Sequence, residues 1–361
     1  MKPIRVMVVD DSAFMRKMIG DILHSDSRLQ VAGTARNGQD ALDKLPKLDI
    51  DVITMDIEMP VLDGISTLKR IMEKQAVPVV MLSSLTTRGA DSTMEAMDIG
   101  AVDFIAKPSG SISLDINNVK DEIIDKVIHA AGVKVNDTTT RQLATRALPP
   151  RPIELPKKQS LKKIVAIGTS TGGPKALHEV LTRLPGNFPA PIVIVQHMPP
   201  NFTRSLANRL DSLSELHIKE AENGEVLQNG TAYIAPGGFH LRVRQIGRAL
   251  AAHVTEEAPI KGHRPSVDIL FESLANQTLC QTVSVVMTGM GADGAAGVIQ
   301  MKKADSNAVV IAESQNSSVV YGMPQAAVKT GYVDLVKDLG DISNVLIDQF
   351  LANGGINYGN E

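Results

Sequence analysis

The sequence predicts an α/β protein of two domains, each built on a parallel sheet with helices packed on both faces. Three observations carry that expectation. Short apolar runs alternate with longer amphipathic stretches twice along the chain, a Pro- and Lys-rich polar stretch parts the two series, and 361 residues exceed the roughly 100–200 of a typical single domain. The runs at 4–9, 29–33, 52–55, 79–82 and 104–106 read as five strands of a first domain, residues 1–132. Residues 133–162, with three consecutive threonines, Pro149, Pro150, Pro152, Pro156 and several lysines, read as a linker. A second domain, residues 163–355, has strands at 164–167, 192–196, 283–287 and 308–311 in a mainly parallel, doubly wound sheet. Between them, Asn223-Gly224, Asn229-Gly230 and Gly237-Gly238 suggest antiparallel hairpins. The tail from Asn353 is Gly- and Asn-rich and is expected to be loose.

Composition excludes several function classes. Apolar residues make up 43% and charged residues 21%, and the formal charge of −3 provides no basic field for nucleic acid. No apolar run reaches the roughly 18 residues of a membrane span, so membrane insertion is not expected. Asp10 and Asp11 end the first apolar run too early for a signal peptide, and the chain is expected to start at Met1. A single cysteine, Cys280, can form no internal disulfide and fits no metal-ligand spacing. A cytoplasmic monomer is the expectation.

In the first domain, Asp10 and Asp11 follow the first strand and Asp56 ends the third. Those strand ends face one crevice in a parallel sheet, so the three carboxylates converge. Clustered carboxylates need a cation, and oxygen-only ligands select a hard ion such as Mg²⁺. Ser83 ends the fourth strand and Lys107 follows the fifth, at the same edge, where a hydroxyl and an ammonium could bind oxygens of a phosphoryl group on Asp56. Each residue alone reads as a helix cap or a solvated charge; five at one edge do not.

These residues stand in Val8-Val9-Asp10-Asp11-Ser12, Met55-Asp56 through Met59-Pro60 to Asp63-Gly64, Leu82-Ser83-Ser84 and Ala106-Lys107-Pro108. In that order the motifs closely resemble the receiver domain of two-component response regulators, with its flavodoxin-like fold. The resemblance implies that Asp56 accepts a phosphoryl group from a histidine kinase. It further implies Mg²⁺ held by Asp11, Asp56 and the main-chain carbonyl of Glu58, with Asp10 behind them. One departure is Ile105, two residues before the lysine, where many receivers carry an aromatic; Phe104 precedes it, which counts against the usual aromatic-rotamer switch.

In the second domain, Gly168-Thr169-Ser170-Thr171-Gly172 matches G-x-S-x-G after a strand and before a helix starting near Pro174. Such a sharp turn needs glycines, projects the Ser170 hydroxyl above the sheet and aims helix amides at a developing oxyanion. Two glycine patterns mislead. Gly168 and Gly173 have P-loop spacing, but Pro174 stands where the lysine belongs. Gly289-Met290-Gly291-Ala292-Asp293-Gly294 is a literal G-x-G-x-x-G with Glu313 near the end of the next strand, yet a carboxylate at Asp293 would repel a pyrophosphate.

A serine nucleophile needs a base and an acid that orients it. His197 is the histidine that directly follows a parallel strand, and Asp293 lies past another, so Ser170, His197 and Asp293 share one sheet rim. The order Ser, His, Asp disfavours an α/β-hydrolase, which runs Ser, Asp, His.

These turns, with Gln196-His197-Met198-Pro199, Ala235-Pro236-Gly237-Gly238, Arg264-Pro265-Ser266-Val267-Asp268 and Tyr321-Gly322-Met323-Pro324, resemble the catalytic domain of the CheB family, chemotaxis protein-glutamate methylesterases. The resemblance implies hydrolysis of glutamate γ-methyl esters on methyl-accepting chemotaxis receptors, often with deamidation of receptor glutamines. It implies no cofactor in this domain, and an unphosphorylated receiver that covers the catalytic rim. The amide of Thr171, which follows the nucleophile, and that of Met290, placed by the resemblance, are the expected oxyanion donors. A response regulator whose output domain only binds DNA or protein is the alternative. The second domain's length, the lack of a helix-turn-helix pattern and the missing basic face argue against it.

Overall fold

The computed structural model describes residues 2–107, 116–133, 162–277 and 279–351. Most of the expected linker, and the whole tail from Asn353, lie outside the described residues. The chain divides into two compact units, 1–146 and 147–361.

The first unit runs β1 (Ile4–Val9), α1 (Ala13–His24), β2 (Leu29–Ala35), α2 (Gly38–Lys44), β3 (Val52–Asp56), α3 (Gly64–Lys74), β4 (Val79–Ser83), α4 (Thr87–Ile99), β5 (Asp103–Ala106) and α5 (Ile116–Ala131). Every residue of β3 and β4 is buried, because helices cover both sheet faces. Polar residues start the helices: Ser12, Asn37, Asp63 and Thr86 each accept an amide from the first turn they cap. The strands pair in parallel in the order β2-β1-β3-β4-β5, so the order reverses between β1 and β3. A crevice opens there at the carboxyl ends.

The second unit runs β6 (Lys162–Thr169), α6 (Gly173–Leu181), β7 (Ile192–Gln196), α7 (Phe202–Asp211), β8 (His217–Glu220), β9 (Thr231–Ile234), β10 (His240–Ile246) and β11 (Ala249–Thr255). It continues through α8 (Val267–Ala275), β12 (Cys280–Val286), α9 (Ala295–Ala304), β13 (Val309–Glu313), α10 (Met323–Lys329), β14 (Leu335–Lys337) and α11 (Leu339–Leu351). Its seven-stranded sheet has the order β14-β13-β12-β6-β7-β9-β8, with every pairing parallel. The chain winds outward from β6 through β7, then returns to β12 on the other side. This makes β6, at the centre, the switch point. Its core residues Ile164 to Ile167 are fully buried.

One expectation fails for a physical reason. The Asn229-Gly230 turn leads into β9, but β8 and β9 pair in parallel, so it closes no hairpin. The antiparallel strand pair is β10–β11, turning at Gly247 and Arg248; Asn223-Gly224, between the parallel β8 and β9, and Gly237-Gly238, between β9 and β10 of different sheets, close no hairpin either. An Asn-Gly pair reports a need for positive φ, not the direction of pairing. At Gly230, φ is +72° and an added Cβ would lie 2.5 Å from the carbonyl oxygen of Gly186. Gly247 is also left-handed, at +59°, but faces open space. Gly230→Ala should therefore lower the urea midpoint of the second unit by the equivalent of about 1–3 kcal/mol, clearly more than Gly247→Ala. Equal losses would refute this account of Gly230.

Candidate active site

Two constellations stand at carboxyl ends of strands. In the first unit, Asp10 and Asp11 follow β1, Asp56 ends β3, Ser83 ends β4 and Lys107 follows β5. Ligand oxygens of Asp10, Asp11 and Asp56 lie within 4.8 Å of one another. Lys107 Nζ reaches Asp56 Oδ2 at 2.6 Å and Asp10 Oδ2 at 3.1 Å. Burial pushes the Asp56 carboxyl above its usual range, and Lys107 opposes this only in part. Burial also works to lower the Lys107 ammonium, but Asp56 and Asp10 hold it above its ordinary value. One ammonium thus pairs with two of three clustered carboxylates, an all-oxygen donor set that fits Mg²⁺. A cleft of about 270 Å³, lined in part by Asp11, Asp56, Glu58, Ser83 and Lys107, leaves room for it. Ser83 Oγ donates to the Gly89 carbonyl at 3.0 Å. Phe104 and Ile105 are both buried in β5, so position 105 offers no aromatic ring to swing.

In the second unit the nucleophile candidate sits at the switch point. Ser170 follows β6 and His197 follows β7, one step beyond the Thr169–Gln196 pair that ends the β6–β7 register. The turn after Ser170 is built by close approach. Gly172 has φ +76°, and an added Cβ on Gly173 would lie 1.9 Å from Gln196 Oε1. Gln196 Nε2 donates to the carbonyls of Ser170 (2.9 Å) and His197 (3.3 Å), fixing the two backbones together. Thr288 clamps the other side. Its carbonyl accepts the Ser170 amide (3.0 Å) and the Thr169 hydroxyl (2.9 Å), and its own hydroxyl donates to the Thr171 carbonyl (2.9 Å). An added Cβ on Gly289 would lie 2.8 Å from that of Ser170, so the Gly289-Met290 peptide runs directly beside the serine.

Asp293 is the electrostatic centre. It is 3% exposed and accepts from five donors: the Ser266 hydroxyl (2.9 Å), the amides of Val267 (2.7 Å), Asp268 (2.9 Å) and Gly294 (3.1 Å), and His197 Nε2 (2.8 Å). Val267 and Asp268 open α8, which has no side-chain cap of its own, so Asp293 caps it. The arrangement is reciprocal. Asp268 accepts the amides of Gly294 and Gly297 at 2.9 Å each, capping α9, which likewise has no side-chain cap of its own. Burial works to raise the Asp293 carboxyl, but the hydrogen bond from His197 and the backbone amides outweigh it and hold the group well below the usual carboxylate range. Asp268 moves the other way: burial, reinforced by the charge of Asp293, pushes it up despite its amide donors.

An ionised carboxylate only accepts, so Nε2 of His197 carries a proton, and in the neutral imidazole Nδ1 is the nitrogen with the free lone pair. His197 Nδ1 is buried with no hydrogen-bond partner. The structure thus joins His197 to Asp293 and puts Ser170 on the adjoining strand end, while the Ser170 hydroxyl is not bonded to the ring. It also removes the dinucleotide reading of 289–294. The α9 amides are already taken by Asp268, and Glu313 is fully buried, accepting the Thr288 amide (2.8 Å) and the Ser317 hydroxyl (3.0 Å).

The family model described as CheB methylesterase matches residues 165–346, and that described as response regulator receiver domain matches residues 6–116. The chain is 56% identical to a protein-glutamate methylesterase/protein-glutamine glutaminase of Geobacillus kaustophilus, over 96% of this chain and 99% of that one. It is 47% identical to the protein of that description from Bacillus subtilis, over 94% and 96%. Among solved structures, the CheB methylesterase catalytic domain of Thermotoga maritima is 45% identical, with a TM-score of 0.51, covering 52% of this chain and 98% of that one.

The depressed Asp293 carboxyl fixes a pH dependence. Its stabilisation is present above the unfolded value of about 3.9 and is lost as pH falls toward the lower folded value. Asp293→Asn should cost the second unit at least about 1.5 kcal/mol at pH 7. The gap to the native chain should narrow as the pH drops below about 4. Urea unfolding at several pH values measures both, and a gap independent of pH would contradict the assignment.

Proposed function

Because the chain belongs to the CheB methylesterase family and carries a receiver domain ahead of the catalytic one, we propose that it demethylates glutamate γ-methyl esters of methyl-accepting chemotaxis receptors under phosphorylation control. The observation that carries this reading is the buried His197–Asp293 pair, 2.8 Å apart, on the strand end beside Ser170. The mechanism requires that rotation about the Ser170 Cα–Cβ bond bring its hydroxyl to His197 Nδ1, the ring nitrogen left without a partner. That nitrogen takes the proton as Oγ bonds to the ester carbonyl carbon, and Asp293 stabilises the imidazolium. The amides of Thr171 and Met290 receive the oxyanion. The carbon–methoxy bond then breaks, and methanol leaves with the proton held on Nδ1. Water attacks the glutamyl ester, giving a proton to Nδ1; the bond from the carbonyl carbon to Ser170 Oγ then breaks, and Oγ takes that proton back from Nδ1. A receptor glutamine follows the same course with ammonia as leaving group, in keeping with the double name of the relatives.

In the receiver, Asp11, Asp56 and the Glu58 carbonyl would hold Mg²⁺, whose charge would offset the phosphoryl oxygens. Asp56 accepts the phosphoryl group from a histidine kinase of the CheA type, and Lys107 and Ser83 bind its oxygens. Phosphorylation activates the enzyme only if the phosphorylated receiver favours the open arrangement of the rim over the covered one.

Methanol release from methylated receptor membranes tests both halves. Ser170→Ala should lower the rate on the order of 10⁴-fold or more. Asp56→Asn should keep the basal rate and lose stimulation by a phosphodonor. Near-native release by Ser170→Ala would overturn the mechanism, and retained stimulation in Asp56→Asn would overturn the regulatory reading.

A further inference from the structure

The segment that holds Asp293 also presents a second imidazole to the site. The rings of His197 and His263 lie parallel, 5° apart in plane, with centroids separated by 4.1 Å. His263 reaches that position from a tight two-residue turn. The Ile260 amide donates to the His263 carbonyl at 3.0 Å and the His263 amide to the Ile260 carbonyl at 2.9 Å. Lys261 and Gly262 between them have φ of +50° and +85°, the signs of a type I′ turn. A left-handed lysine is conformationally costly, so the turn is held by its surroundings. Lys261 Nζ stands 3.5 Å from Asp268 Oδ2, and the Gly238 amide donates to the Arg264 carbonyl at 3.2 Å. Three and four residues beyond His263, the Ser266 hydroxyl and the Val267 amide bind Asp293.

We propose that His263 is a positioning residue for the hydrolysis: its ring, stacked flat on His197, fixes the plane of the base. The Asp293 bond anchors Nε2 at one point, but Nδ1 has no partner, so that bond leaves the ring free to rock and carry Nδ1 out of line with Ser170. A flat neighbour 4.1 Å away removes that freedom. One short segment, 260–268, thereby sets both the carboxylate that orients the base and the surface it lies on. This rests on the assignment of His197 as base.

The full-length chain tests the proposal with His263→Phe, which keeps a flat aromatic face and removes both ring nitrogens, and His263→Leu, which keeps bulk without a face. His263→Leu should lower kcat for methanol release about tenfold to a hundredfold with little change in KM, and His263→Phe should restore most of it. Proton NMR gives a readout independent of turnover. The His197 Hε1 resonance, assigned by its loss in His197→Gln, should move downfield when the aromatic neighbour is removed in the Leu variant and stay near its native position in the Phe variant. Should His263→Leu unfold, His263→Gln replaces it. Equal losses in the Phe and Leu variants, or a Leu variant of native kcat, would overturn the proposal. Native activity in His197→Gln would instead overturn the assignment of the base, while the resonance shift would still report the stack.

Discussion

A carboxylate taken out of water must be met by donors on nearly every lone pair, and Asp293 is met by five. Three are backbone amides, two of them from the start of α8, so the positive end of that helix keeps the group ionised. Ionisation in turn dictates where the His197 proton sits. With Nε2–H committed to Asp293, the nitrogen left for proton transfer is Nδ1, on the edge of the ring. Remove the charge and the tautomer loses its cause.

The reciprocal capping of α8 and α9 explains why the Gly289–Gly294 loop resembles a phosphate cradle without serving as one. Its glycines permit backbone to approach Ser170 and Val267, where a Cβ on Gly289 would come within 2.8 Å of the serine and one on Gly294 within 2.9 Å of the valine. Its amides meet carboxylates of the protein rather than of a ligand. The same logic governs the receiver, where backbone geometry gathers carboxylates and, among the described residues, Lys107 is the ammonium paired with two of them, Asp10 and Asp56. One carboxylate is satisfied by donors of the protein itself; the other cluster gathers three carboxylates with Lys107 paired to two of them.

Much of this was legible in the sequence, because strand ends can be read from apolar runs and a parallel sheet collects them on one edge. The five receiver strands and β6, β7, β12 and β13 lie within a few residues of the apolar runs, and the placing of Ser170, His197 and Asp293 at one sheet rim follows from those strand ends. What escaped depends on contacts between residues far apart in the chain. β8, β9 and β14 have only three or four residues each, too few for a periodicity. Gln196, Thr288 and Glu313 act through hydrogen bonds to the backbone of other strands, which no local pattern reports. No motif in the sequence singles out His263 as part of the site; its place on His197 follows from a turn 66 positions further along the chain, as His197 and His263 are numbered.

The protonation of His197 is the most direct test. In uniformly ¹⁵N-labelled protein at neutral pH, with His197 assigned by its loss in His197→Gln, Nε2 should resonate as a protonated ring nitrogen and Nδ1 as an unprotonated one. The opposite tautomer, with the proton on Nδ1, would contradict the account at its root, since a base already carrying a proton on the serine side cannot take another.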